Sequence, residues 1–350
     1  MKKFVKFPEI EQFRTIIKDV QHSSQYQGKD AEGNPIFDRN AIMPTLTFEG
    51  TVKLHGTNGA VCCDTSTGEI WAQKRSGICT VEQDNAGFAF FVHSKKEEFK
   101  YLFDCLDHAI GATAENTSGH SISVLYGEWC GGNIQKGVAV SQLEKMFVIF
   151  DVKIHEVDDS DSIWVPSRLW NQIFDNPNKI YNIYQFPYYT IDIDFNNPQL
   201  SQNKLVEITN LVEIQCPVGK FFGVSGIGEG VVWKHSSAKT GTIRFKVKGT
   251  EHSVSKVKTL ASVDVEKLAS IDKFADYAVT ENRLNQGIEQ VFISNGLEPD
   301  IKKIGDFLRW MMGDIVKEET DVMVENNLEP KTVSKVCSDR ARRWFQNKYC

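Results

Sequence analysis

Lys53-Leu54-His55-Gly56-Thr57-Asn58 follows the strand-like run Leu46-Thr47-Phe48-Glu49-Gly50-Thr51-Val52 and precedes a second apolar run, Ala60 to Cys63. A lysine at a strand end, followed by a glycine that frees the backbone, sets an amine in a pocket edged by exposed main-chain N–H groups. Such an amine is a nucleophile only after losing its proton, so burial or neighbouring cations must favour its neutral form. By itself the pattern is common, and a solvated turn lysine is the simpler reading. The rest of the chain decides between the two.

The chain has 350 residues, enough for two domains and a sizeable core. Its hydrophobic content of 41% and charged content of 25% are those of an ordinary soluble protein. A net charge of −6 argues against a uniformly basic nucleic-acid binder but leaves room for a local basic groove. Cys62, Cys63, Cys79, Cys105, Cys130, Cys216, Cys337 and Cys350 form no C-x-x-C pair and no zinc-type spacing with histidine. Reduced thiols in a cytoplasmic chain are expected. The first residues lack the apolar core of a signal peptide, and no stretch is apolar for long enough to span a membrane.

A short helix is expected over residues 8–20, then a polar loop from His22 to Asn40. Strands are expected at 46–53, 60–64 and 69–74, a helical stretch over 88–110, and strands again at 122–128 and 146–152. The segment 156–220 opens acidic, Glu156-Val157-Asp158-Asp159-Ser160-Asp161, and reads as a peripheral subregion with helices near 167–175 and 199–214. Further strands fall at 231–235 and 242–248. From about 264 the period becomes helical, with Val265, Leu268, Ile271 and Phe274 in phase. Helices follow over 281–294, with Thr280 as N-cap, over 300–325, and after Pro330. The expected organisation is an α+β domain over 1–255 and a helical domain over 256–350.

Four blocks could serve the lysine. Gln73-Lys74-Arg75-Ser76-Gly77 ends a strand whose antiparallel return would bring Arg75, a bidentate phosphate binder, near Lys53. Tyr126-Gly127-Glu128-Trp129 ends a strand in a carboxylate suited to ribose hydroxyls or a metal. In Met146-Phe147-Val148-Ile149-Phe150-Asp151-Val152, strand alternation would put Phe147, Ile149 and Asp151 on one face and Phe150 on the other. In the last block, Gly228-Glu229-Gly230-Val231-Val232-Trp233-Lys234 precedes Arg244-Phe245-Lys246-Val247-Lys248, whose Lys246 and Lys248 share a face. Residues 234–258 hold seven Lys or Arg against one acidic residue, Glu251, a phosphate-sized signal in an acidic chain. Each block alone is more simply a solvated strand end or a core strand.

In order, these blocks resemble the motif series of covalent nucleotidyltransferases: K-x-x-G, a strand-end arginine, Y-G-E, an F-D strand, E-G-x-V-x-K and K-x-K. His55, where DNA ligases and capping enzymes usually carry Asp, is similar to the phage RNA ligase 2 group and the trypanosome RNA-editing ligases. Thr280-Glu281-Asn282-Arg283-Leu284 resembles the same group. The resemblance implies an α+β fold: an antiparallel-sheet, ATP-grasp-like nucleotidyltransferase domain followed by a small all-helical, RNA-binding C-terminal domain.

It also implies roles. Lys53 would take AMP from ATP, Arg75 would contact phosphate or the RNA end, and Glu128 would bind the ribose. Phe150 would stack on adenine, Glu229 would bind Mg²⁺ or Mn²⁺, and Lys246 and Lys248 would grip the α-phosphate. His55, Thr57 and Asn58 would act in the polynucleotide steps, with Gly56, Thr57 and Asn58 also lining the nucleotide. Val52 stands where many of these ligases carry Glu, so a backbone carbonyl there would read the base. The implied activity is ATP-dependent joining of RNA 3′-hydroxyl and 5′-phosphate ends, with nicked duplexes among the candidate substrates. A cytoplasmic monomer, phage-encoded or not, is expected. A DNA ligase, a capping-type nucleotidyltransferase and a catalytically silent RNA-binding protein are the alternatives.

Overall fold

The computed structural model describes residues 2–111, 121–156, 162–237, 241–249 and 271–349. Residues 157–161 of the acidic stretch, the expected domain boundary near 255, Glu251, Val265 and Leu268 lie outside the described residues. The chain is α+β, as expected, and divides into two compact units. One comprises Met1–Ile10, Thr47–Asp192 and Leu211–Lys246; the other comprises Glu11–Leu46, Ile193–Asn210 and Val247–Cys350.

The first unit is built on two sheets. In one, the strands Ile163–Trp164, Met146–Glu156, Ser121–Cys130, Thr57–Asp64, Ile70–Lys74 and Gly77–Cys79 lie side by side in that order, antiparallel throughout. Ile180–Asn182 adds to Met146–Glu156 in parallel. The other sheet carries Gly241–Lys248, Gly230–Ser237, Thr45–Lys53 and Tyr189–Asp194 as successive neighbours. Residues 180–194 therefore contribute strands to both sheets, so the segment expected to be peripheral is built into them.

Burial follows the sequence pattern. Ser121–Cys130 lies inside its sheet and is buried at every position but Glu128, with Ser121 and Ser123 buried beside its apolar residues. In Thr45–Lys53 the buried residues alternate, with Leu46, Phe48, Gly50 and Val52 inside. One face of the larger sheet packs Ala60, Cys62, Val124 and Tyr126 against Val5 and Phe7. On the opposite face, the Phe88 ring fills the space beside Gly59 and the Phe147 ring that beside Gly127, where an added Cβ would come within 2.7 and 2.4 Å.

Three local expectations change. The first helix runs over Phe13–Gln25, not 8–20. Residues 2–10 ahead of it form neither helix nor strand, and Val5 is bound from far along the chain: Gln73 Oε1 accepts its N–H, and its carbonyl accepts from Gln73 Nε2 and Tyr126 Oη. The helix expected near 167–175 shrinks to a 3₁₀ turn at Ser167–Leu169. The Asn182 amide takes the Trp170 and Ile173 carbonyls, which a longer helix would have used. Finally, Met146–Glu156 does not alternate as read. Tyr126 pairs with Asp151 and Gly127 with Ile149, which leaves Phe150 as an extra bulged residue. A bulge sets two residues against one, so Phe150 and Asp151 both face the Tyr126 side.

In the second unit the polar loop at 22–40 contains a hairpin, Tyr26–Lys29 with Pro35–Phe37. Helices Ile271–Ala278, Glu281–Val291, Ile304–Glu325 and Pro330–Tyr349 enclose Phe274, Leu284, Phe307, Met311 and Phe345. Thr280 caps its helix by accepting the Arg283 N–H. The fully buried Arg283 guanidinium donates to Asp314 at 2.8 Å and to Glu319 at 3.0 Å, and Arg14 and Tyr277 bind the other Glu319 oxygen. Among the described residues, no helix is long and apolar enough to cross a membrane.

Candidate active site

Strand register assembles the site. Thr45–Lys53 pairs with Gly230–Ser237 so that Lys53 lies opposite Gly230, which delivers Glu229 to the lysine. The Lys53 ammonium donates to Glu229 Oε2 at 2.7 Å, and His55 Nδ1 lies 3.1 Å from the same oxygen. Glu229 is only 2% exposed, so these cationic and polar neighbours replace the water it has lost.

Glu128 arrives from the larger sheet, opposite Asn58. Its Oε1 accepts the Gly56 N–H at 3.0 Å. Gly56 is required there, because an added Cβ would stand 2.4 Å from the Trp129 carbonyl oxygen. Burial pushes the Glu128 carboxyl up to about 7; Lys53 draws it back down, and Glu229 adds to the rise. Blocks separated by up to 176 residues thus place an amine, an imidazole and two carboxylates together.

The other predicted residues are distributed as follows. Val52 is 3% exposed, opposite Val231, and alternation turns its side chain away from Lys53. Only its backbone can reach the lysine's side of the strand. Asn58 shares the Glu128 face, whereas Thr57 lies opposite Trp129 on the face covered by Phe88 of the helix Phe88–Ser94, where its hydroxyl accepts from Asn85 Nδ2 at 2.9 Å. Arg75 sits in the tight turn after Lys74 and pairs with Glu9 at 2.6 Å, close enough to Glu128 to favour its ionised form. Phe150 is half-buried and meets the Phe7 ring edge-on at 5.2 Å. Lys246 and Lys248 are half-buried on one strand face, while Phe245 and Val247 fill the core on the other.

One constellation escaped the sequence reading. Asp151, 2% exposed, accepts from Lys234 Nζ at 2.6 Å and from Arg244 Nε and Nη2 at 2.9 and 2.6 Å. It ties the larger sheet to both strands that carry the cations of the other. The Arg244 guanidinium stacks 3.9 Å above the Trp164 ring. Burial lowers the Lys234 pKa, and Asp151 opposes that shift. A signal was available: Arg244 precedes Lys246 by two, so three cations share one face, and Asp151 directly follows Phe150.

The RNA ligase family model matches residues 46–248, which contain every one of these groups except Phe7 and Glu9. No curated protein matches the chain. Among solved structures, a point mutant of Naegleria gruberi RNA ligase with AMP and Mn is 18% identical, with a TM-score of 0.42, over 71% of this chain and 57% of that one. The same ligase with PPi gives the same figures. Another of its point mutants, with ATP and Mn, is 18% identical at a TM-score of 0.42, over 71% and 58%. This chain therefore spans a little over half the length of the ligase chains it resembles.

Proposed function

Since the chain belongs to the RNA ligase family, we propose that it joins RNA 3′-hydroxyl and 5′-phosphate ends at the expense of ATP, through a lysyl-AMP intermediate on Lys53. The observation that carries this reading is the meeting of Lys53, Glu229 and Glu128, three residues from separate blocks, around one amine.

Three transfers share the pocket. The Lys53 nitrogen attacks the α-phosphorus of ATP; a P–N bond forms as the bond to pyrophosphate breaks. Lys53 must first lose one proton, because an ammonium has no lone pair with which to attack; the neutral amine keeps two N–H groups and can still donate one to Glu229. An RNA 5′-phosphate oxygen then displaces Lys53 from the phosphorus and leaves a 5′–5′ pyrophosphate-linked end. Finally an RNA 3′-hydroxyl attacks that end, and AMP departs.

Each transfer builds charge on phosphate oxygens, so fixed cations and donors aimed there lower the barrier. Lys246, Lys248 and Arg75 are the groups for that task, Arg75 after release from Glu9. Glu128 would bind the ribose and Phe150 would cover the base.

Glu229 suits a hard divalent ion, being a buried carboxylate beside the nucleophile. No group of three or more His, Cys, Asp or Glu among the described residues is placed to hold one. Mg²⁺ or Mn²⁺ would therefore draw its other ligands from phosphate and water, as Mg²⁺ commonly does beside nucleotides. When bound, the ion neutralises charge on the phosphate oxygens. On the last helix, Lys331, Lys335, Arg342 and Arg343 are exposed and available to RNA phosphates, whereas Arg340 is engaged by Asp272 and Asp276.

The test is incubation with α-labelled ATP and Mg²⁺. A covalent protein–AMP adduct is expected, labile in acid and stable in alkali, and absent from Lys53→Ala. No adduct on the unaltered chain would remove the ligase reading. Label from GTP in place of ATP would point to capping, and sealing confined to all-DNA nicks to a DNA ligase.

A further inference from the structure

Thr57 lies in the motif stretch, yet it points to the face of the sheet that Phe88 covers, not to the face of Glu128. Its hydroxyl is met there by Asn85, which donates at 2.9 Å. Asn85 belongs to none of the motif blocks.

The segment presenting Asn85 is held from several sides. Asp84 Oδ1 accepts from the backbone N–H groups of Asn85 and Ala89, each at 2.6 Å, and its Oδ2 accepts from Phe90 at 3.0 Å. Asp84, three residues ahead of the N-cap Gly87, thereby takes two of the free N–H groups in the first turn of the helix Phe88–Ser94. Ala86 adopts φ +55°, a left-handed conformation that costs a non-glycine residue free energy. Its carbonyl accepts from Trp129 Nε1 at 3.1 Å and from Lys145 Nζ at 2.8 Å. Backbone strain persists only where the surroundings over-determine it, and it gathers at functional sites.

Trp129 closes the circuit. Its indole holds Ala86, while its own carbonyl oxygen abuts Gly56 so tightly that a Cβ there would stand at 2.4 Å. The segment Asp84–Gly87 is thus joined to the lysine stretch twice: once from Asn85 to Thr57, and once from Ala86 through Trp129 to Gly56. Both links end on the two sides of one peptide group, Gly56–Thr57. On the other side of that turn the Gly56 N–H meets the Glu128 carboxylate.

We propose that Asn85 is a positioning residue for nucleotide binding: through the Thr57 hydroxyl it fixes the Gly56–Thr57 peptide, and so sets the Gly56 N–H and the Glu128 carboxylate for the ribose of the incoming nucleotide. This rests on the ligase reading above. It also gives Thr57 a task at the back of the sheet, distinct from direct contact with substrate.

The test is lysine adenylylation as a function of ATP concentration, in the full chain. Asn85→Ala and Thr57→Val each remove the hydrogen bond, and each should raise the KM for ATP about tenfold, the scale of one lost positioning bond. The maximal rate should fall less. Thr57→Ser keeps the hydroxyl and should restore the KM. Because both groups act through one bond, Asn85→Ala with Thr57→Val should be no worse than either alone.

A second readout separates positioning from general destabilisation. The Gly56 N–H favours the ionised Glu128. Loosening that contact should move the acid limb of the ATP-binding profile to higher pH, which a uniform loss of stability would not do. An unchanged KM in Thr57→Val, multiplying effects in the double variant, or a lowered melting temperature with unaltered KM and pH profile would each overturn the proposal. An unaltered chain that forms no adduct at all would instead overturn the ligase reading on which it stands.

Discussion

One oxygen of Glu229, Oε2, binds both Lys53 Nζ, at 2.7 Å, and His55 Nδ1, at 3.1 Å. The carboxylate thus holds the proposed nucleophile and the histidine that narrowed the sequence reading, and it sits in a nearly water-free position. Glu229→Gln keeps the shape and removes the charge. Adenylylation of Lys53 is expected to fall by about a hundredfold or more, since one charged group at a phosphoryl-transfer site is worth that order. Rapid-quench measurement of adduct formation checks it, with circular dichroism to confirm the fold.

Glu128 makes stability depend on pH. Its carboxyl titrates near 7 in the folded chain against an ordinary 4.5, because burial penalises the ion. Between those values the folded chain binds more protons than the unfolded one. The group therefore contributes nothing unfavourable below about pH 4, and its penalty grows until pH passes 7. Glu128→Gln should be more stable than the unaltered chain at pH 8, by up to ~3 kcal/mol, and equally stable near pH 4. Urea unfolding at the two pH values measures the difference.

Asp151 is a buried carboxylate between two cations. Replacing it by alanine leaves Lys234 and Arg244 without their counter-ion in a dry setting. Loss of one partner of such a group typically costs about 3–5 kcal/mol. Asp151→Ala should lower the urea midpoint accordingly. Lys234→Met, which removes one charge and leaves the two-bond Arg244 contact, should cost clearly less. Equal costs would mean that Arg244 contributes little.

Reversing Lys331, Lys335, Arg342 and Arg343 to Glu should leave adduct formation intact and weaken RNA binding. If the four contact phosphates, the slope of log affinity against log salt should become shallower by about 3. Fluorescence anisotropy with a nicked RNA duplex and with single-stranded RNA supplies the measurement, and also ranks the two substrate forms. An unchanged slope would assign these cations to solvent alone.

Much of the architecture could be read from local pattern. The strand before Lys53, the glycine after it, the strands around Glu128 and Glu229, and the helices after Pro198, Thr280 and Pro330 all carry signals confined to a few neighbouring residues: alternation, a cap, a breaker. The α+β class follows from the change of period along the chain. The motif order singled out Lys53, Glu128 and Glu229, and register brings these three together.

Where side chains came in from far along the chain, local pattern gave the wrong answer. The helix read over 8–20 begins only at Phe13: Glu11–Gln12 is a two-residue strand, and the Gln12 side chain binds Glu318, 306 residues away. Asn182 likewise takes the carbonyls that the helix near 167–175 needed. The alternation assigned to Met146–Val152 fails at Phe150 because the bulge depends on the neighbouring strand, whose register no single strand encodes.

The amino-acid order alone singles out the groups proposed for phosphoryl chemistry here: a lysine before a glycine, two carboxylates at strand ends and a lysine pair. Residue types and spacings of one or two are properties of the chain itself. Which groups touch is another matter. That Glu229 binds Lys53, that Arg75 is engaged by Glu9, that Thr57 turns to Asn85 and Asn58 to the Glu128 face, and that Asp151 joins Lys234 and Arg244 all depend on strand register between segments as much as 176 residues apart. A shift of one residue in any of those pairings would send each side chain to the opposite face. Packing across both sheets selects the register, so the site exists only once the sheets have closed.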